Sequence, residues 1–358
     1  MNYSYMFPVV KGIQANKEYY IAMVPLKMIP KLFPANDFEF VPPEYRAQRK
    51  LNTTRIPIMK KYILDNRNSY VFSALAASID GKYIFKSEND NPEIGVLEVE
   101  MDARFLINDG QHRKAAILDA LNEDETLGDE TIPIVFFADQ GLSHSQQIFT
   151  DLNKNAVKTS NSISELYDKR DPWAVVNREV VMSVEFINEY TDKERDILGI
   201  NSVDFFTLNT FYKANKFALA GISDPSEGIP FLKKYWNLVA VNMPLWVEVD
   251  KKQISKMNLR EKYIVTQSVV IQAFGMVANY FYTHPNISME HRINKINKIN
   301  WRRSSKIWYK RAIGERGNVL TGNRTIILIN NEIKHVLGIR LSENEQEFEK
   351  KFNLLLKQ

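Results

Sequence analysis

Short alternating runs of apolar and polar residues dominate the first part of the chain. Longer helical periods take over after residue 160. Residues 7–13 and 19–24 read as strands, and 25–33 as a brief helical connection that Pro30 keeps short. A helix is expected from Pro42-Pro43 to residue 49, and another over 56–64, where Ile56, Met59, Ile63 and Leu64 fall near one face. Residues 70–79 are β-rich. Asp80-Gly81 is a hairpin signal, from which 83–85 would return antiparallel. Strands are expected over 95–101 and 104–108, then a helix over 111–121 and a buried strand over the apolar run 132–137. Residues 143–152 are amphipathic, with Ile148, Phe149 and Leu152 on one side.

Helical periods then cover 172–190, 203–220, 231–241 and 259–282, and Asp171-Pro172 is a strong start signal for the first of them. The expected fold class is α+β, an α/β-like domain followed by a mainly helical C-terminal region. The expected divisions are a domain over 1–160, a helical domain over 161–283 and a basic, mixed segment over 284–358. At 358 residues, with 44% hydrophobic and 25% charged residues, the chain can bury a sizeable core.

The absence of cysteine excludes disulfides, zinc–thiolate sites, iron–sulfur clusters and cysteine nucleophiles. The first residues lack the pattern of a signal peptide, and no apolar stretch approaches membrane-spanning length. A cytoplasmic protein without membrane contact is expected. A net charge of +4 does not by itself call for nucleic acid, so the distribution of charge matters more.

The sharpest local signal is FLINDGQHRKAAI, residues 105–117: a strand, a polar turn with glycine, then a helix. Free N–H groups at such a helix start favour an anion, and Gly110 lets a ligand approach the backbone. His112, Arg113 and Lys114 add donors that match phosphate oxygens. Asp109 could hold a metal ion, orient a water or simply cap the helix. A second polar stretch over 151–161 includes Asn153, Lys154 and Asn155. It reads either as a partner loop for the turn or as an interdomain linker.

DGQHRKAAI and the later FTDLNKNAVKTSNS resemble the DGQHR-domain family, and within it the DndB group of DNA phosphorothioation-associated proteins. The blocks FPVVKGIQANKEYYIAMVPLKMIPKLF, PPEYRAQRKLNTTRIPIMKKYILDN and LGIRLSENEQEFE extend the resemblance over nearly the whole chain. It implies an N-terminal domain distantly related to the ParB/sulfiredoxin fold, in which a strand–helix turn binds nucleotide phosphates. Carried over by position, that turn is Asp109, Gly110, Gln111, His112 and Arg113, with Asn153, Lys154 and Asn155 as the partner loop. It also implies a place beside the machinery that puts sulfur into the DNA backbone, as a transcriptional regulator of that gene cluster. Without cysteine, regulation through a thiol is closed to this chain.

Residues 291–316 carry Arg292, Lys295, Lys298, Arg302, Arg303, Lys306, Lys310, Arg311 and Arg316, interleaved with Trp301, Trp308 and Tyr309. By charge this is the candidate surface for duplex DNA, although a solvated face whose aromatics serve the core has the same composition. No helix-turn-helix signature is clear enough to name a recognition helix, and no P-loop, HExxH or nucleophile-elbow pattern occurs.

Three readings follow. The first is a DNA-binding regulator of DNA sulfur modification. The second is an NTPase, with DNA nicking as a further activity, using Asp109 and His112 catalytically with a nucleoside triphosphate and Mg as cofactor. The third is a scaffold for other sulfur-modification proteins. Self-association stays open in all three.

Overall fold

The computed structural model describes residues 3–34, 53–88, 90–138, 148, 151–152, 159–199 and 202–357. The chain divides into two compact units, 1–157 and 158–358.

The first unit is a mixed seven-stranded sheet. Its strands are β1 (Ser4–Gln14), β2 (Lys17–Pro25), β3 (Leu75–Asp80), β4 (Tyr83–Glu88), β5 (Asn91–Glu100), β6 (Arg104–Asp109) and β7 (Thr131–Ala138), in the order β4-β5-β1-β2-β7-β3-β6. All neighbours are antiparallel except β3 and β7. The helices are α1 (Ile29–Leu32), α2 (Ile56–Asp65) and α3 (Gln111–Leu121). One core joins Phe7, Tyr20, Val24, Ile63, Ile79, Val99, Ile117 and Phe136. Alternation puts Ile132, Ile134 and Phe136 of β7 inside and leaves Pro133, Val135 and Phe137 half-exposed, so this strand is apolar on both faces but fully covered on one.

The Asp80-Gly81 hairpin does not form. β4 pairs with β5, because the two sides of β3 are taken by β7 and β6. The strand-like run from residue 70 enters the ladder only at Leu75, which pairs with Ile134. The helix expected over 42–49 lies outside the described residues, as does most of 143–152.

The second unit is helical: α4 (Asn161–Tyr167), α5 (Pro172–Ser183), α6 (Glu185–Glu189), α7 (Leu208–Ala218), α8 (Ile229–Asn242), α9 (Pro244–Asp250), α10 (Lys256–Lys262), α11 (Ser268–Thr283), α12 (Met289–Ile293), α13 (Asn323–Leu337) and α14 (Glu343–Lys357). Together the units give the α+β class with a helical C-terminal region. Asp171 caps α5 as its sequence signals, its side chain accepting from the Trp173 N–H at 2.9 Å.

Residues after 283 share one core with the preceding helices, built on Phe211, Trp236, Trp246, Phe274, Trp301 and Trp308. α11 packs on both α7 and α13. A Cβ at Gly275 would lie 2.2 Å from the backbone oxygen of Ala214, so glycine is what lets α7 and α11 approach. The period expected over 259–282 breaks at Tyr263, where Ile264 N–H donates to the Trp301 carbonyl at 3.1 Å. A β-bridge joins Tyr263 to Arg302 at the same place. Tertiary pairing overrides local helix propensity here.

Glu165 of α4 is a buried carboxyl whose Oε2 lacks a hydrogen-bond partner. Burial first, and then the charge of Asp196, pushes it up to about 8. A folded pKa above the unfolded one makes its stabilisation complete in acid, and that contribution is lost as pH rises towards and through about 8. Glu165→Gln is therefore expected to flatten the fall in melting temperature between pH 6 and 9 and to raise it at pH 9. An unchanged profile would show that Glu165 ionises normally.

Candidate phosphate-binding turn and basic surface

β6 ends at Asp109, Gly110 turns the chain and α3 begins at Gln111. Gly110 has φ 100°, a left-handed conformation that favours glycine, and a Cβ there would lie 2.4 Å from Leu75 Cδ2. No side chain caps α3, so its first N–H groups have no acceptor within the helix. Asp109 is not the cap. Its Oδ2 accepts from Arg113 Nη2 at 2.6 Å, one helical turn on.

The same guanidinium reaches back to the chain before β3. Its Nη1 donates to the Ser73 carbonyl at 2.8 Å, to the Ala74 carbonyl at 2.9 Å and to the Ser73 hydroxyl. Arg113 therefore clasps the turn to residues 73–74 and is committed there. Residues 67–72 line a cleft of about 500 Å³ with Ile117 and Glu130, and neither Gly110 nor Arg113 lines it.

α2 packs against α3, and three pairs fix their relative direction. The charge of Arg55, at the start of α2, acts on His112. Lys60 Nζ lies 2.7 Å from Glu123, and Arg67 Nε lies 3.3 Å from Asp124. Arg55 acts at the start of α3 while Lys60 and Arg67 pair just beyond its end, so α2 and α3 run in the same general direction with their N-terminal ends on the same side. Neither first turn contains an acidic residue. Parallel macrodipoles repel, and an anion at the shared N-terminal end relieves that repulsion.

Burial first, then Arg55, lowers the pKa of His112, so its ring is neutral near pH 7 and can donate one hydrogen bond. Half-buried Lys114 is also lowered by desolvation, and its Nζ makes a long 3.4 Å bond to the Pro34 carbonyl. Gln111 is half-exposed at the helix start. Asn153, Lys154 and Asn155 lie outside the described residues. Among the described residues no group of three or more ligating side chains forms a metal cluster, and Asp109 is already ion-paired.

The basic segment of the second unit divides into structural and exposed cations. Arg292 Nη1 donates to the Leu337 carbonyl at 2.9 Å and to that of Gly338, closing the end of α13. Arg311 is 7% exposed and meets Glu349 with Nη1 at 3.0 Å and Nη2 at 2.5 Å. It also donates to the Leu328 carbonyl at 2.8 Å and lies over the Phe352 ring. Lys310 pairs with Glu315 at 3.3 Å.

Lys298, Arg302 and Lys306 are exposed, while Lys295 and Arg303 are intermediate. Trp301 and Trp308 are buried and stacked with centroids 5.3 Å apart, so they serve the core. Lys262 and Tyr263, which the sequence pattern hides inside an expected helix, stand beside Arg302 and Arg303.

The family model for DndB, described as DNA-sulfur modification-associated, matches residues 7–340. No curated protein matches the chain, and no solved structure does. No helix among the described residues is long and apolar enough to cross a membrane.

Proposed function

The chain belongs to the DndB family and so takes part in DNA sulfur modification, and we propose that within that process it is a DNA-binding regulator whose DGQHR turn binds phosphate. The observation that carries this reading is the pair of parallel helix starts, with Gly110 at the bend and Arg55, His112 and Lys114 around it. Backbone N–H groups and helix dipoles there favour a phosphate oxygen. The Asp109–Arg113 pair favours binding over turnover, because the carboxylate that would serve catalysis already neutralises a cation. The exposed cations of the second unit supply sequence-independent attraction to duplex. Phosphate occupancy of the turn would then bias the protein between states of different DNA affinity, and so control transcription of its own gene cluster. Duplex DNA and other DNA sulfur-modification proteins are the proposed partners.

Calorimetric titration with pyrophosphate tests the turn. Arg55→Ala combined with Lys114→Ala is expected to weaken binding about tenfold, roughly 0.7 kcal/mol per charge at helix starts. Equal affinity in wild type and variant would remove the turn as the phosphate site. Orthophosphate release from ATP that disappears in Asp109→Ala would instead make the protein an NTPase.

A further inference from the structure

We infer that Arg303, held against the end of α10, is the anchor of a nucleic-acid phosphate surface completed by Lys262, Arg302 and Lys306. The inference rests on the DNA-binding reading above and names the surface that would carry it. Arg303 N–H donates to the Lys262 carbonyl at 2.8 Å, and its Nε reaches the Tyr263 carbonyl at 3.4 Å. Arg302 is bridged to Tyr263 through the backbone, and its guanidinium lies 5.2 Å from the centroid of the Tyr263 ring. Beneath them Ile264 N–H donates to the Trp301 carbonyl at 3.1 Å, and Trp301 stacks on Trp308. Trp308 Nε1 in turn donates to the Asn300 carbonyl at 2.7 Å. Two consecutive arginines are thus fixed to a rigid, tryptophan-backed support. Such preorganisation reduces the entropy lost when a long side chain binds.

The electrostatics of Arg303 point to an anion. It is half-buried, and desolvation lowers its pKa. Among the described residues no carboxylate pairs with it. A partly desolvated cation without a counter-ion is unfavourable. Capping the end of α10 accounts for its Nε, but the remaining N–H groups of the fork have no partner among the described residues. A planar fork with free donors matches phosphate oxygens. Lys262, Arg302 and Lys306 are exposed and add charge around it. Arg302 already lies on an aromatic ring, which suits a sugar–phosphate backbone better than insertion between bases. The surface therefore fits phosphodiester backbone, and duplex binding through it is expected to be indifferent to sequence.

The test uses the full chain and fluorescently labelled random-sequence duplexes, titrated by anisotropy from 0.05 to 0.3 M salt. Arg303→Gln is expected to weaken binding about fivefold near 0.15 M salt and to lower the salt slope by about one. Lys262→Gln and Arg302→Gln, both at exposed positions, should each do the same without changing the melting temperature, which keeps the test valid should the Arg303 variant unfold. Full affinity and slope in all three folded variants, with wild type still binding duplex, would overturn this surface and leave the DNA-binding reading standing. Wild type that binds no duplex at all would overturn both. Variants that keep duplex affinity but lose an acidic partner protein of the modification system would reassign the surface to protein binding.

Discussion

Replacing Arg311 by alanine is expected to destabilise the second unit by about 3–5 kcal/mol, the range for breaking a buried ion pair, while the salt slope of duplex binding by the folded variant stays unchanged. Arg311 lies within the basic run, yet it ties the chain before α13 to α13 through the Leu328 carbonyl and to α14 through Glu349 and the Phe352 ring. Its removal leaves Glu349 partly buried beside Glu332, which lies 3.8 Å from the same guanidinium. Glu349→Gln in the same chain should recover part of the loss, because it removes the unpaired charge. All five tryptophans belong to the second unit, so their emission during urea unfolding reports on this unit directly. An unfolding midpoint like wild type, together with a salt slope reduced by about one, would make Arg311 a DNA contact instead of a core clasp.

The second large effect is expected at Arg113. Alanine there removes the bonds to Asp109 and to the carbonyls of Ser73 and Ala74, at a cost of about 1.5–3 kcal/mol for hydrogen bonds made by a charged group. Lysine keeps the charge but lacks the fork, so Arg113→Lys should recover little. The first unit has no tryptophan, and hydrogen exchange is the suitable measurement: amides of 73–80 and 105–115 should lose protection together. Retained protection with lost pyrophosphate binding would return Arg113 to the ligand role implied by the family resemblance.

These two arginines show how candidate sites are reached from sequence and where that route stops. The residues of the turn, its glycine and the helix start at Gln111 were all legible, because a strand period, a flexible residue and a helical period meet there. The helix that lies beside that start was not: α2 comes from a distant part of the sequence, and no local pattern encodes the relative direction of two helices separated by a strand-rich stretch. In the second unit, charge density identified the segment but could not separate Arg292 and Arg311, which hold helices in place, from Arg302 and Arg303. Lys262 and Tyr263 escaped notice because their apolar neighbours continue a helical period that tertiary pairing interrupts.

By itself the sequence determined the α+β class, most element positions, the place of the turn and the family, since each depends on periodicity or on residues adjacent in the chain. Only the tertiary structure decided that β4 pairs with β5, that Arg113 clasps residues 73–74, that Arg311 is buried against Glu349 and that Arg303 lacks a carboxylate among the described residues. Strand order, ion pairing and desolvation depend on groups far apart in sequence. A charged side chain has the same local pattern whether it faces water, a buried acid or a ligand, and its partners in space decide what it does.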